Sequence, residues 1–301
     1  MKFSVFQLSR RGGRATNEDR MGYCYTREAA LFVLADGMGG HAEGEIAAQL
    51  ALQTMAAEFQ RQATPRLADV RGFLRQGLML AHERIQAYGR HKRMSDAPRT
   101  TLVAAVIQEG QVSWIHCGDS RLYWVRSGVL QARTRDHSYA EMDRASALKL
   151  AHKILNRNVL YTCLGAETAP VVDLAGPHTL QQDDRLLLCS DGLWDVLQEH
   201  VLLQRLSHSP VQNAVPALVD AALQVAGSKS DNVTALAVQW EQDEAEPMAI
   251  DTQDSDEAFA STIQSLQDLE GFDVSLDEAE IERSIAEINA AIRRSAVQKK
   301  V

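Results

Sequence analysis

The 301-residue sequence predicts an α+β fold, a four-layer α-β-β-α sandwich of two antiparallel sheets flanked by helices, with a helical C-terminal extension. Two observations predict it. Amphipathic helices stand in pairs beside runs of consecutive strands, a grouping that packs two sheets together with helices outside. The strict strand–helix alternation of a doubly wound parallel sheet is absent, and no internal repeat is visible.

The N-terminal third opens with apolar strands and continues with two helices. Apolar side chains recurring near a period of 3.6 predict the helices, and the Pro-containing segment 96–99 ends the second one. The predicted strands are 3–7, 20–25 and 31–35, and the predicted helices are 43–62 and 65–91.

Strand signals dominate the middle of the chain, and helices return before a last strand. The pair Ser127-Gly128 predicts a hairpin turn between two strands. The further predicted strands are 101–107, 111–117, 122–125, 186–190 and 233–240, and the further predicted helices are 138–153, 199–206 and 212–226.

Charge is unevenly distributed along the chain. The formal net charge is −9, and residues 241–301 carry 16 Asp or Glu against 5 Lys or Arg, which is −11. Residues 1–240 therefore carry +2. This nearly neutral body argues against nucleic acid as a partner, because phosphate backbones require basic patches.

Cysteine usage and hydropathy favour a cytoplasmic location. The four cysteines contain no C-x-x-C pair, so we expect buried thiols in a reducing compartment. The N-terminal residues lack the apolar core of a signal peptide, and no apolar run approaches the ~20 residues that span a bilayer. We therefore expect no membrane partner. The cysteines are Cys24, Cys117, Cys163 and Cys189.

Three segments organise the chain. Residues 1–240 form the body, residues 241–258 read as an acidic linker, and residues 259–301 read as a helical extension. The extension carries an isoleucine stripe that favours docking onto the body or onto a partner. Autoinhibition by its acidic residues is a further alternative, weakened because acidity usually serves solubility.

Three aspartates at the ends of apolar strands point to metal chemistry. Asp36 and Asp191 each follow a strand and precede Gly, and Asp231 precedes the last strand. One Asp-Gly pair alone would indicate a turn. Several carboxylates at strand ends are costly to bury bare, and oxygen ligands suit Mg²⁺ or Mn²⁺.

Other segments complete a set of ordered motifs. Arg14 precedes Asn17-Glu18-Asp19, and its planar fork matches phosphate oxygens. Gly118-Asp119-Ser120-Arg121 places a further carboxylate in a tight turn. Asp136 and His137 are expected to make structural turn hydrogen bonds. The motifs in order read R-x-x-N-E-D, D-G-M-G-G-H, T-T, G-D-S-R, D-H-S, S-D-G-L-W-D and D-N-V-T.

In these seven motifs residues 1–240 resemble the metal-dependent protein serine/threonine phosphatases of type 2C, in their bacterial form. The resemblance implies a β-sandwich with two tightly bound Mn²⁺ or Mg²⁺ ions, and a third more weakly bound, at one end. It implies water attacking phosphoserine or phosphothreonine directly. It also implies phosphoprotein substrates, among them a Ser/Thr kinase and that kinase's targets.

The resemblance assigns roles residue by residue. Asp36 would bridge two metals and Gly37 would bind one through its carbonyl. Asp191 and Asp231 would complete the other metal's ligands, and Asp119 would support the third. Arg14 would grip the substrate phosphate, with His41 nearby. Glu18, Asp19 and Asn232 would support the metals from behind the direct ligands.

Three points limit the resemblance, and two rival functions stay open. Arg99 stands where the family often has Gly before the Thr pair. Met38 stands where some relatives have a histidine proposed as general acid, so the acid is unassigned. Segment 158–165 departs from the family's sequence near its mobile flap. The rivals are a catalytically silent phosphoprotein-binding scaffold acting through the tail, and a hydrolase of small phosphoesters.

Overall fold

Eleven strands lie in the residues that the computed structural model describes, which are 1–38, 43–141, 159–241 and 260–263. They are β1 (Lys2–Arg10), β2 (Asp19–Tyr25), β3 (Ala29–Asp36), β4 (Leu102–Gln108), β5 (Gln111–Cys117), β6 (Arg121–Arg126), β7 (Val129–Arg133), β8 (Asp173–Thr179), β9 (Arg185–Cys189), β10 (Val233–Glu241) and β11 (Ala260–Ser261). The described helices are α1 (Gly44–Gln62), α2 (Val70–His91), α3 (Asp191–Trp194), α4 (Glu199–His208) and α5 (Val211–Ala226).

The strands form two sheets in which every pair is antiparallel. One sheet has the order β1-β10-β9-β6-β7, and the other has the order β11-β2-β3-β4-β5-β8. Apolar side chains from both sheets share one buried cluster, in which Phe32 and Val103 meet Leu188 and Leu236. Their alternation along each strand places one face of each sheet in this common core.

Helices cover the outer face of each sheet. Helices α1 and α2 contact β2 to β5, whereas α5 contacts β1 and β10. A second buried cluster joins α4 and α5 to the five-stranded sheet through residues such as Leu206 and Leu218. The predicted four-layer α-β-β-α sandwich is confirmed.

Several predicted elements differ from the structure. Helix α2 begins at Val70 rather than residue 65, because the Asp69 side chain caps it by accepting a hydrogen bond of 2.9 Å from the Gly72 amide. Strand β8 was not predicted, since Gly and Pro interrupt its sequence. Residues 138–141 form a bridge and a turn instead of a helix start, and the rest of that predicted helix lies outside the described residues.

The predicted extension starts with a strand instead of a helix. Ser261 pairs with Cys24, and the Thr262 amide donates to the Tyr23 carbonyl at 2.9 Å. Ile263 is buried over Gly22, where a Cβ atom would approach its Cγ1 to 2.5 Å. Main-chain pairing overrides the local helical pattern here. The predicted helical segments beyond residue 263 lie outside the described residues.

Candidate metal centre

Two of the acidic side chains meet because their strands are paired. Asp19 opens β2 and Asp36 ends β3, and the antiparallel register sets them directly opposite each other. Asp19 is buried and accepts a 2.8 Å hydrogen bond from Ser190 Oγ. The sheet pairing and the Ser190 contact therefore bring three parts of the chain to one point.

The Thr100-Thr101 pair holds the main chain of Asp36. Thr100 Oγ1 donates to the Asp36 carbonyl at 2.8 Å, and the Thr101 amide donates to the same oxygen at 2.8 Å. The Asp36 amide donates to Thr101 Oγ1 at 3.1 Å. These three bonds fix the end of β3, so the Asp36 carboxylate is presented from a rigid backbone.

Asp191 and Asp231 are brought together by the contact between α3 and the start of β10. A Cβ atom on Gly192 would lie 2.1 Å from the Asn232 carbonyl oxygen, so only glycine permits this approach. Ser190 precedes α3 and its Oγ accepts from the Thr234 amide at 3.1 Å. Gly192, the glycine of this Asp-Gly pair, therefore allows α3 and the start of β10 to pack closely.

Asn232 ties the N-terminal loop to the same place. Its Oδ1 accepts from the Glu18 amide at 2.8 Å, and its Nδ2 donates to the carbonyls of Arg11 at 2.8 Å and Thr16 at 2.9 Å. The side chain is buried and fully used in these contacts. In the structure Asn232 is an organiser of the loop that carries Arg14 and Glu18.

Arg14 and Asp231 form an ion pair at the edge of the cluster. Arg14 Nη2 donates to Asp231 Oδ2 at 2.5 Å, and about half of the arginine side chain, 54%, is exposed. A guanidinium has five N–H donors, so donors remain for a second anion. The arginine thus stands at the open side of the carboxylates.

Burial and mutual repulsion make the carboxylates costly to ionise together. Burial, followed by the charges of Asp19 and Asp191, raises the pKa of Asp36 well above its ordinary value. Burial, followed by the charges of Asp119 and Asp231, likewise raises the pKa of Asp191. Burial is also the main cause that raises the pKa of Asp119 to about 6. The five aspartates therefore form one electrostatic unit.

The donor set fits hard divalent cations. Asp19 Oδ1 and Glu18 Oε2 are buried and have no hydrogen-bond donor among the described residues. Unpartnered buried carboxylate oxygens are costly, and a cation would relieve both that cost and the repulsion. The candidate ligands are all oxygens, which suits Mg²⁺ or Mn²⁺.

Gly37 lies under tight packing beside these groups. Its amide donates to the Glu18 carbonyl at 3.3 Å, and a Cβ atom at this position would lie 2.5 Å from the Gly44 carbonyl oxygen. Gly44 in turn lies against Glu18 Oε2, which a Cβ there would approach to 2.3 Å. Glycine at both positions lets α1 begin beside the carboxylates.

The turn that carries Asp119 is supported by Trp194 and Arg121, which lie in the ordered motifs but had no predicted role. Trp194 Nε1 donates to the Asp119 carbonyl at 3.0 Å. The Arg121 guanidinium lies 3.5 Å from the Trp194 ring centroid and makes two bonds, 2.8 and 2.7 Å, to the Asp136 carboxylate. The Trp in S-D-G-L-W-D was the available signal, because an indole N–H seeks a partner when it is half-buried.

His137 is placed by the turn on its other side. Its amide donates to the Gly118 carbonyl at 3.0 Å, and its Nδ1 lies 3.2 Å from the Gly118 amide, which must donate. The His137 proton therefore sits on Nε2, which faces Asp173 Oδ2 at 3.4 Å. Both Asp136 and His137 make structural turn contacts, as expected.

His116, His137 and Asp173 form a second group whose ligand atoms lie within 4.8 Å of one another. It contains none of the predicted metal residues. Coordination through His137 Nε2 requires that proton to leave and conflicts with the amide donated to Nδ1. The contacts of this group are hydrogen bonds that support the turn that carries Asp119.

The structure gathers most of the predicted site residues but not all of them. The carboxylates, Arg14, Gly37 and Asn232 lie together at one end of the sandwich, where β2, β3, β9 and β10 meet. His41 lies outside the described residues, so its assigned role stays a prediction. In segment 158–165 the structure describes every residue except 158. The gathered acidic residues are Glu18, Asp19, Asp36, Asp119, Asp191 and Asp231.

Comparison with known proteins gives consistent matches. The sequence profile of a family described as Protein phosphatase 2C matches residues 7–235. The serine/threonine protein phosphatase PstP of Mycobacterium tuberculosis is 32% identical over 226 residues, which cover 73% of this chain and 41% of PstP. The chain thus spans less than half the length of that relative. The serine/threonine phosphatase stp of Listeria monocytogenes is 29% identical over 244 residues, which cover 78% of this chain and 94% of stp.

Solved structures agree in fold. The crystal structure of M. tuberculosis PstP has a TM-score of 0.66 and 30% identity, covering 80% of this chain and 99% of that chain. The catalytic domain of PstP in complex with two manganese ions has a TM-score of 0.62 and 29% identity, covering 80% of this chain and 99% of that chain. No described helix is long and apolar enough to cross a membrane.

Proposed function

Because this chain belongs to the protein phosphatase 2C family, we propose that it is a metal-dependent protein serine/threonine phosphatase. The observation that carries the proposal is the carboxylate cluster, in which burial and the charges of neighbouring aspartates raise the pKa of Asp36 and of Asp191. Buried like charges of this density are sustained by bound cations. The substrates are phosphoproteins carrying phosphoserine or phosphothreonine.

The predicted ligands would hold the metals. Asp36, the Gly37 carbonyl, Asp191 and Asp231 would hold two Mn²⁺ or Mg²⁺ ions, and Asp119 would support a third. When bound, such ions supply Lewis acidity and activate water for in-line attack on phosphorus. The structure of the PstP catalytic domain in complex with two manganese ions supports the choice of metal by similarity.

The chain's own residues position the substrate and the ligands. Arg14 turns its free N–H donors toward the phosphate while Asp231 holds its Nη2. Ser190 fixes one oxygen of Asp19, and the Glu18 amide is fixed by Asn232. Glu18 and Asp19 thereby stand behind the direct ligands. His41, from the glycine-rich turn, assists phosphate binding.

The cellular setting follows from composition and family likeness. Four free, buried cysteines support a cytoplasmic location. A Ser/Thr kinase and its targets are the proposed substrates, an assignment by family analogy. The segment beyond residue 263 is proposed to dock on the body or on a partner. The silent scaffold is the weaker alternative, since Asp36, Asp191 and Asp231 are all present.

The decisive experiment measures aryl-phosphate hydrolysis with Mn²⁺ and with EDTA. We expect Mn²⁺-dependent turnover that falls at least about a hundredfold in Asp191→Asn, because a lost metal ligand removes several kcal/mol of transition-state stabilisation. Asp195→Asn is the matched control, since it removes a carboxylate one helical turn away. No turnover with any divalent ion, in a folded sample, would favour the scaffold.

Substrate class needs a second comparison. A phosphothreonine peptide and a small aryl phosphate should be assayed side by side under the same metal conditions. A kcat/KM at least about tenfold higher for the peptide supports a protein phosphatase. Equal or higher values for the aryl phosphate would identify a hydrolase of small phosphoesters instead.

A further inference from the structure

A surface cavity of about 490 Å³ lies beside the metal centre and takes no part in the roles assigned above. It is formed where the loop after β1 meets the end of α5 and the turn that follows. Its lining includes Arg10, Arg11, Gly12, Gly13, Leu223 and Ser228. Two arginine side chains therefore line a cavity whose other lining residues are small or apolar.

The cavity adjoins the segment that holds Arg14, the arginine proposed to bind the phosphate. The Gly13 amide donates to the Ser230 carbonyl at 2.9 Å, and a Cβ atom on Gly12 would lie 2.1 Å from the Asp231 carbonyl oxygen. Asp231 is the ion-pair partner of Arg14. Through these contacts of Gly12 and Gly13, the floor of the cavity packs directly against the segment that orients Arg14.

The two arginines of the cavity have no acidic partner within the part of the chain that the structure describes. Arg10 Nη1 donates to the Ser9 carbonyl at 3.2 Å, and Arg11 Nη1 donates to the Ala15 carbonyl at 3.4 Å. Both side chains are exposed, and no carboxylate lines the cavity. By contrast, Arg66 at the surface pairs with Glu109 at 2.6 Å.

Arg10 and Arg11 together form a surface that suits the binding of an anionic side chain. A guanidinium offers several N–H donors in a planar fork that matches a carboxylate or a phosphate. Two residues, Gly12 and Gly13, lie between Arg11 and Arg14, so the three steps of the chain span at most about 11 Å. An extended peptide covers that distance in about three residues.

We propose that this cavity, here named the flanking subsite, binds an acidic or phosphorylated side chain of the substrate about three residues from the phosphoresidue held by Arg14. The inference rests on the proposed phosphatase function. Carboxylate and phosphate share the chemistry that the arginines recognise. The apolar wall at Leu223 packs against the aliphatic part of that side chain.

The test uses phosphothreonine peptides that carry Glu, phosphoserine, Gln or Lys at each position up to four residues on either side. Wild-type enzyme should show a KM about tenfold lower with Glu or phosphoserine than with Gln at one such position, since two surface charge contacts contribute about that factor. The phosphoserine arm separates phosphate from carboxylate as the preferred group.

Matched charge removals locate the effect. Arg10→Gln with Arg11→Gln should abolish the preference while leaving kcat/KM for a small aryl phosphate unchanged. Arg27→Gln with Arg75→Gln, which removes two exposed charges elsewhere, should preserve it. A preference that survives the first pair, or no preference in the wild type, overturns the proposal.

A binding assay keeps the subsite separate from the chemistry. Fluorescence anisotropy with the same peptides measures the preference without turnover, so a failed phosphatase assay does not decide the subsite. If the affinity of the wild-type protein does not depend on the flanking charge of the peptide, the proposal is wrong.

Discussion

Replacing Asp119 by Asn should make the metal-free protein more stable at alkaline pH. Asp119 lies in the turn between β5 and β6, and burial raises its pKa to about 6 from an ordinary 3.8. Because the folded-state pKa is raised, its stabilising contribution is fully present below pH 3.8. That contribution is lost as pH rises through about 6.

The magnitude follows from that difference. At about 1.36 kcal/mol for each pH unit, the metal-free protein carries a cost of about 3 kcal/mol when this carboxyl is ionised. Between pH 5 and pH 8 the group should lower the free energy of unfolding by about 1.4 kcal/mol. Asp191 adds a change of the same sign, because its pKa is also raised.

The assay is denaturant unfolding in EDTA across pH 5 to pH 8. Asp119→Asn should flatten the decline in unfolding free energy by about 1.4 kcal/mol relative to wild type. Asp220→Asn, on the exposed side of α5, controls for loss of one negative charge. Saturating Mn²⁺ should flatten the wild-type decline in the same way, since binding favours the ionised carboxylates. An unchanged slope in Asp119→Asn would refute the reasoning.

Three further changes test other parts of the structure. In steady-state kinetics, Arg14→Ala should raise KM for an aryl phosphate by about 10- to 100-fold, because that is the loss expected when charge-assisted hydrogen bonds are removed. Arg14→Lys should give an intermediate KM. Arg121→Met should lower the free energy of unfolding by about 3–5 kcal/mol in denaturant titration, because Asp136 loses its buried partner. Gly22→Ala should displace Ile263 and thereby reduce the hydrogen-exchange protection of the Thr262 amide by at least about tenfold. Unchanged protection of that amide would contradict the described β11 contact.

The predicted helices and strands were most accurate where one pattern dominated. The predicted helix 43–62 differs from α1 by one residue at its start, because its apolar spacing is regular. The hairpin turn at Ser127-Gly128 is confirmed, and both residues have positive φ as such turns require. Strand β8 was missed because Gly176 and Pro177 interrupt its sequence, and its pairing with β5 itself contains a register shift between Val112 and Trp114.

The residues of the candidate site could be predicted from the sequence, whereas their spatial arrangement could not. Asp-Gly pairs after apolar strands pointed to Asp36 and Asp191. Nothing local predicted that Ser190 would hold Asp19, or that Trp194 would support the Asp119 turn. These contacts join segments far apart in sequence, so they depend on the register of two sheets rather than on local pattern.

The sequence by itself determined the chemistry available, because residue types and strand-end positions set which oxygens and cations this protein can present. Tertiary structure alone decided the distances between them. The pairing of β2 with β3 sets Asp19 opposite Asp36, and the Gly192 contact brings Asp191 beside Asp231. Only that packing removes the carboxylates from water together, and burial together is the physical reason that they demand a cation.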